Sequence, residues 1–220
     1  MQRKAYHLKA GSLSKMNAIV ERLPSPDPGE VTVAVRAIGL NFADIFAIWG
    51  LYGATPEGDF VPGLEYSGTI AAVGEGVEGL REGDHIMGVT RFGAYATHLN
   101  IDARYVIPLP AGWSFAEGSA YLVQVLTAYY GLKLLYYYLT RPKIDPQKMP
   151  EQNKSVMGFN LIWLYHRAGL MHQLLGELSE LDLGKPHVGH RYAFGALKDA
   201  ILEFQSGKTM GKVVVEVEEE

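Results

Sequence analysis

No cysteine occurs among the 220 residues, which excludes disulfides, zinc-thiolate sites, iron–sulfur clusters and a thiol nucleophile. Charge is sparse as well: 20 Lys and Arg stand against 24 Asp and Glu, a net charge of −4. That balance is too small, and of the wrong sign, for nucleic acid as the main partner. The first residues carry Arg3, Lys4, His7 and Lys9 with no apolar leader among them, so a cytoplasmic address is the expectation. Long apolar runs are equally scarce. The nearest to one is Ser119 to Leu139, whose only charge is Lys133. Its tyrosines, Gln124 and Gly131 leave it less apolar than the roughly 20-residue span that a bilayer requires. The run reads as a buried helix followed by an aromatic-rich contact surface, and a membrane partner is not expected.

What is present is the composition of a globular protein, 48% hydrophobic and 20% charged, with 25 glycines and 11 prolines to make turns. Up to Leu109 the chain reads as short strands. Val31 to Val35 alternates apolar with small or polar residues, Tyr66 to Val73 is small and β-branched, and Gly93 to Leu99 precedes Tyr105 to Leu109. Turn formers such as Ser25 to Gly29 and Glu82 to Asp84 stand between them. Asn41 to Trp49 interrupts with a short helical pattern. Ser114 with Glu117 three residues on makes a capping box, predicting a helix from there through Tyr121 and Val123. Leu170, Met171, Leu174, Leu175, Leu178 and Leu181 recur at helical spacing, Gly195 to Gln205 is amphipathic, and Lys212 to Val217 closes the chain as a strand.

Two conspicuous motifs do not carry chemistry. Gly74, Gly76 and Gly79 match the dinucleotide fingerprint letter for letter. The fingerprint requires a strand before it and a helix N-terminus after it to receive the pyrophosphate. Here Leu80 to Asp84 leads into another strand, and Glu75 and Glu78 would repel phosphate. The segment therefore reads as glycine-rich turns. His187 and His190 are the closest pair of the seven histidines, but with no carboxylate near them in sequence they do not define a metal site. No serine lies in a nucleophile elbow.

Three segments are more informative together: Gly39 to Asp44; Pro62 to Gly74 with Gly83 to Gly88; and Leu126-Thr127-Ala128-Tyr129. In this order and spacing they resemble the medium-chain dehydrogenase/reductase superfamily, in its zinc-independent quinone oxidoreductase branch. Gly158 to Tyr165 and Gly211 to Val215 look most like the synaptic vesicle membrane protein group within that branch. The resemblance covers residues 1 to about 132 and about 155 to 217.

It implies a β-rich α+β fold built on a GroES-like catalytic domain (1–132), a shortened connection (133–154) and a C-terminal remnant (155–220). Added helices are expected over 114–140 and 167–205. It also implies that no metal is held, because Asn41 and Leu64 stand where zinc-dependent members carry Cys and His. Asn41, Asp44 and Tyr52 are the implied catalytic residues; Asn41, Thr127, Phe159 and Asn160 are the implied cofactor contacts. Helix capping is the alternative role for Asn41 and Asp44, and packing for Tyr52 and Thr127.

One part of the pattern is short. Relatives place a whole nucleotide-binding domain between the Leu126–Tyr129 helix and the Gly158 segment. A βαβ unit takes about 30 residues and a dinucleotide fold on the order of 120. Lys133 to Lys154 offers 22. The Rossmann core is expected to be largely absent, with the join between Gly131 and Arg141. The family activity would be NADPH-dependent reduction of a quinone or enone. This chain is expected to bind NADPH weakly or not at all and to turn over little. The competing expectation is a non-catalytic, self-associating scaffold, a homo-oligomer joined through Leu132 to Leu139.

Overall fold

In the computed structural model, residues 1–140, 165–181 and 183–218 are described. Two sheets carry the fold. β1 (Gln2–Lys9) is the centre of the smaller, between β2 (Asn17–Arg22) and β4 (Asp59–Phe60), both antiparallel to it. The larger is organised by β3 (Glu30–Gly39), whose ten residues serve several partners. β3 pairs from Val31 to Gly39 with β5 (Glu65–Val73), over its first half also with β7 (His98–Asp102), and at its end with β10 (Lys212–Glu216). Beyond β5 lie β6 (His85–Val89) and β8 (Val106–Pro108); beyond β10 lies β9 (Val188–Ala193). The pairing of β9 with β10 is parallel, whereas every other pairing among the described residues is antiparallel. This is a GroES-like, β-rich α+β architecture.

The alternation in β3 buries Val31, Val33 and Val35 with Ile70, Ile86 and Val213 in the main core. α1 (Phe42–Trp49) adds Ile45 and Ile48 to it, and α5 (Leu197–Gln205) adds Leu197, Ile201 and Phe204. A second core lies where α3 (Leu122–Thr140) and α4 (Ala168–Ser179) cover β6 and β8. Leu122, Leu126, Leu174, Leu175 and Leu178 there meet Met87 and Ile107. Burying each such leucine is worth about 1.5–3 kcal/mol, so the helical additions hold to the sheet by apolar contact.

The expected elements need three corrections. The segment Gly93 to Leu99 is a strand only from His98. Gly93 sits at a φ of 111°, and the next residues are tied to different neighbours: Tyr95 N–H donates to Pro62 O and Thr97 N–H to Lys4 O, both at 2.9 Å. The helix begun by Ser114 stops at Gly118 as α2 (Phe115–Gly118), and α3 restarts at Leu122. That break turns the Ser119 carbonyl onto Gly39, where an added Cβ would come within 1.9 Å of it. The stretch 167–205 is not helical throughout, because β9 lies inside it. Most of the expected connection at 133–154 lies outside the described residues, while α3 runs unbroken through 131–140.

Gly74 to Gly79 lies in the link between the antiparallel strands β5 and β6, with Gly76 and Gly79 both at a φ of 77°. Left-handed backbone of this kind favours glycine and serves a turn, and no helix follows. Among the described residues no helix is long and apolar enough to cross a membrane.

Candidate functional site

At the end of β3 the chain passes through Asn41, in extended backbone, into α1. The Asn41 N–H donates to Asp44 Oδ2 at 2.8 Å, so Asp44 closes the helix start as the side-chain half of a capping box. The Asn41 side chain turns inward instead. Its Nδ2 donates to Gly39 O and to Glu65 Oε2, each at 3.2 Å, and its Oδ1 accepts from Lys212 Nζ at 2.7 Å. Lys212 Nζ also reaches Glu65 Oε2 at 2.9 Å. The other carboxylate oxygen of Glu65 accepts the Val123 N–H at 3.0 Å, near the start of α3.

Three strands and two helices thus meet on one ion pair, whose side chains are 7% and 0% exposed. The arrangement follows from the sequence locally: β5 opens on Glu65, β10 opens on Lys212, and β3 lies between them.

Asp44 is 1% exposed, and burial pushes its carboxyl up to about 7. The negative charge of Glu65 pushes the same way, against the opposing pull of the Asn41 N–H, Lys212 and the Tyr95 hydroxyl. Its Oδ1 has no hydrogen-bond partner within the distance of an ordinary bond. Tyr95 is fully buried; desolvation and then Asp44 hold its hydroxyl well above the usual phenol range. Tyr52 is half-buried, raised first by burial and then by Asp44, with Arg91 opposing. Tyr165 is raised by burial, with Tyr52, Glu65, Asp44 and Tyr105 adding in the same direction. The Tyr105 hydroxyl fixes it by donating to Tyr165 O at 2.9 Å, the two rings stacked 7° from parallel.

The structure therefore joins Asn41 and Asp44 directly, with Tyr52 near enough to feel the charge of Asp44. Thr127 lies one helical turn beyond Val123 on α3, exposed, with its hydroxyl donating to Val123 O at 2.6 Å. Phe159 and Asn160 lie outside the described residues. Sequence reasoning assigned no role to Glu65, Lys212, Tyr95 or Tyr165. A signal existed for the first two, since each is a charge at the head of a strand whose next residues are largely buried. Among the described residues no group of three or more His, Asp and Glu is placed to hold a metal ion, and Leu64 is a buried aliphatic side chain.

Residues 27–111 match the alcohol dehydrogenase GroES-like domain. The synaptic vesicle membrane protein VAT-1 homolog of Rattus norvegicus is 41% identical over 106 residues, 48% of this chain and 26% of that protein. The pikromycin polyketide synthase component PikAII of Streptomyces venezuelae is 42% identical over 128 residues, 56% of this chain and 3% of that one. The matched stretch thus spans about a quarter of the VAT-1 homologs' own length, 26 to 27% in the mammalian proteins.

The human VAT-1 homolog-like protein superimposes with a TM-score of 0.82 at 22% identity, covering 100% of this chain and 99% of that chain. The quinone oxidoreductase of Thermus thermophilus, solved also with NADPH, gives 0.71 at 23% identity, covering 97% and 99%. These two likenesses are of fold.

Proposed function

We propose that the chain is the substrate-side domain of a zinc-independent quinone or enone oxidoreductase, with little or no cofactor binding or turnover of its own. The observation that carries the reading is the buried centre of Asn41, Glu65 and Lys212 with Asp44 and Tyr52 beside it. At the Asn41 position a side-chain ammonium already supplies the cation, 2.7 Å from Oδ1, so a metal there would have to displace Lys212. Asp44 holds its proton through most of the acid range up to about pH 7. The half-buried Tyr52 hydroxyl presents the hydrogen-bond donor that a carbonyl oxygen of a quinone or enone needs. Thr127 has spent its donor on Val123 O and offers a ligand only acceptor capacity.

NADPH serves the intact family, but the described residues do not fit it. The glycine-rich segment joins two antiparallel strands without a helix N-terminus, and Glu75 and Glu78 flank the place where phosphate would lie. No reaction step of this chain is routed through the cofactor. Losing three charge-assisted phosphate contacts at about 1.5–3 kcal/mol each weakens affinity about a thousandfold or more. Calorimetric titration with NADPH is therefore expected to be flat at micromolar concentrations. A saturable isotherm there would overturn this part of the reading.

A second reading, a self-associating module, is favoured by exposed apolar side chains. Leu132 on α3 is 65% exposed, and Phe42, Phe46 and Trp49 are 61%, 44% and 44% exposed along α1. The proposed interface, Leu132 to Leu139, extends past the described side chains. Sedimentation is expected to show concentration-dependent association that Tyr137→Glu weakens; a clean monomer at high concentration would remove this reading. A cytoplasmic location remains part of the proposal, and a fluorescent fusion seated stably on vesicles would contradict it.

A further inference from the structure

A cavity of about 430 Å³ opens where the smaller sheet meets the larger, and none of its lining residues belongs to the centre around Asn41 and Tyr52. Gln2 and Lys4 line it from β1, with Val20, which stands opposite Lys4 on β2. Ala34 and His98, opposite each other on β3 and β7, line the other side, and Arg36 follows on β3. Residues directly opposite in a ladder share a face of the sheet, so each wall is a strip of neighbouring side chains. Thr97 ties the two walls together. Its N–H donates to Lys4 O at 2.9 Å, its hydroxyl accepts the Lys4 N–H at 3.0 Å, and its carbonyl accepts the Val35 N–H at 2.8 Å.

The charge of the lining is mostly of one sign, with Arg3, Lys4 and Arg36 set against a single lining carboxylate, Glu218. Arg3 is already spent: its Nε and Nη2 reach Glu21 Oε1 at 2.8 and 2.6 Å, and its Nη1 donates to His98 O at 3.2 Å. Lys4 is not. Among the described residues no carboxylate pairs with its ammonium and no acceptor lies within hydrogen-bond distance of it. Solvent reaches the cavity, because Gln2, Val20 and Glu218 are exposed and Lys4, Arg36 and His98 are only half-buried. An ammonium with three uncommitted donors, close to a guanidinium and to apolar surface, suits the oxygens of an anion that also carries an uncharged body.

We infer that this cavity binds a small organic anion, a carboxylate or a phosphate monoester, with its charged group on Lys4 and its apolar body against Val20, Ala34 and Val217. The volume falls within the range of about 300–1,000 Å³ that small-molecule sites occupy. The site goes beyond the quinone or enone reading and does not depend on it. Glu218 sets its strength, because a carboxylate on the lining repels an incoming anion.

The test is an NMR titration of the whole chain with benzoate, with phenyl phosphate and with the neutral benzyl alcohol. At least one of the two anions is expected to bind about tenfold or more tightly than benzyl alcohol, shifting the amides of Lys4, Thr97 and His98. Lys4→Met keeps the apolar stem and should erase that preference, Lys4→Arg should keep most of it, and Glu218→Gln should strengthen anion binding. Tighter binding of phenyl phosphate would identify phosphorylated ligands as the class, and tighter binding of benzoate would identify carboxylic acids. Anions and alcohol binding equally in the unaltered chain would overturn the inference. So would a preference that survives in a folded Lys4→Met variant, or amide shifts confined to residues around Tyr52. Where Lys4→Met does not fold, the shift map of the unaltered chain decides between the same results.

Discussion

Lys212→Met is expected to lower the stability of the chain by about 3–5 kcal/mol, the cost of leaving a buried charge without its partner. Among the described residues the ammonium is the only cation on the Glu65 carboxylate, which is wholly buried and otherwise holds only the Asn41 amide and the Val123 N–H. Its loss also removes the donor that Asn41 Oδ1 accepts. Urea unfolding should show a lower midpoint at unchanged slope, the mark of lost stability rather than altered compactness. The double variant Lys212→Met/Glu65→Gln should recover most of the loss. A neutral amide can accept the Val123 N–H with its oxygen and leaves no charge unpaired; its nitrogen takes the place of Oε2 and donates to Asn41 Oδ1 once the Asn41 amide turns over. If the single variant were as stable as the parent, the ion pair would not be what joins β10, β5 and the start of α1.

Asp44→Asn is expected to change how stability depends on pH. Burial raises the folded-state value from 3.8 to about 7, so in that window the folded chain holds a proton that the unfolded chain has released. The stabilising contribution is whole below pH 3.8 and is lost as pH rises through about 7. At about 1.36 kcal/mol for each unit the total is about 4 kcal/mol. The asparagine carries no charge at any pH and can still accept the Asn41 N–H, so its curve should lack this fall. The difference between parent and variant, measured by denaturant unfolding at a series of pH values, isolates Asp44 because the other carboxylates cancel. Parallel curves would mean that Asp44 is ionised in the folded chain near pH 5, and its role as a held proton beside Tyr52 would go with it.

Local signals in the sequence carried far. The Ser114 and Glu117 capping box closes as expected, with Ser114 N–H donating to Glu117 Oε2 at 2.6 Å. The leucine periodicity of α4 buries Met171, Leu174, Leu175 and Leu178. Leu181 falls past the helix end and is exposed, because periodicity alone does not mark a terminus.

What stayed illegible depends on distant parts of the chain. β9 alternates half-buried with exposed residues and contains Gly189, His190 and Arg191, a poor strand by composition. It is a strand because β10 pairs with it, and Gly189 is needed there since a Cβ would come within 1.7 Å of Met210 O. The break after Gly118 answers to Gly39 on another element. At the candidate site Asn41 and Asp44 were legible because they open a helix. Glu65 and Lys212 are separated by 147 positions, and no spacing rule joins residues so far apart. Their partnership also bears on Asn41, whose two amide hydrogens are both engaged within the protein.

The account rests most on a separation: a substrate-side site that works as a binding site without a dinucleotide site. Two ligands that bind one protein in a coupled way must alter each other's affinity by the same factor, and a cofactor that does not bind can alter nothing. The decisive measurement is the binding isotherm of menadione, followed by tryptophan fluorescence, with and without NADPH at a concentration of about 100 μM. Superimposable isotherms, both weakened in Tyr52→Phe, are the predicted result. An isotherm that tightens when NADPH is added would show that this chain binds the dinucleotide after all, and would contradict the account.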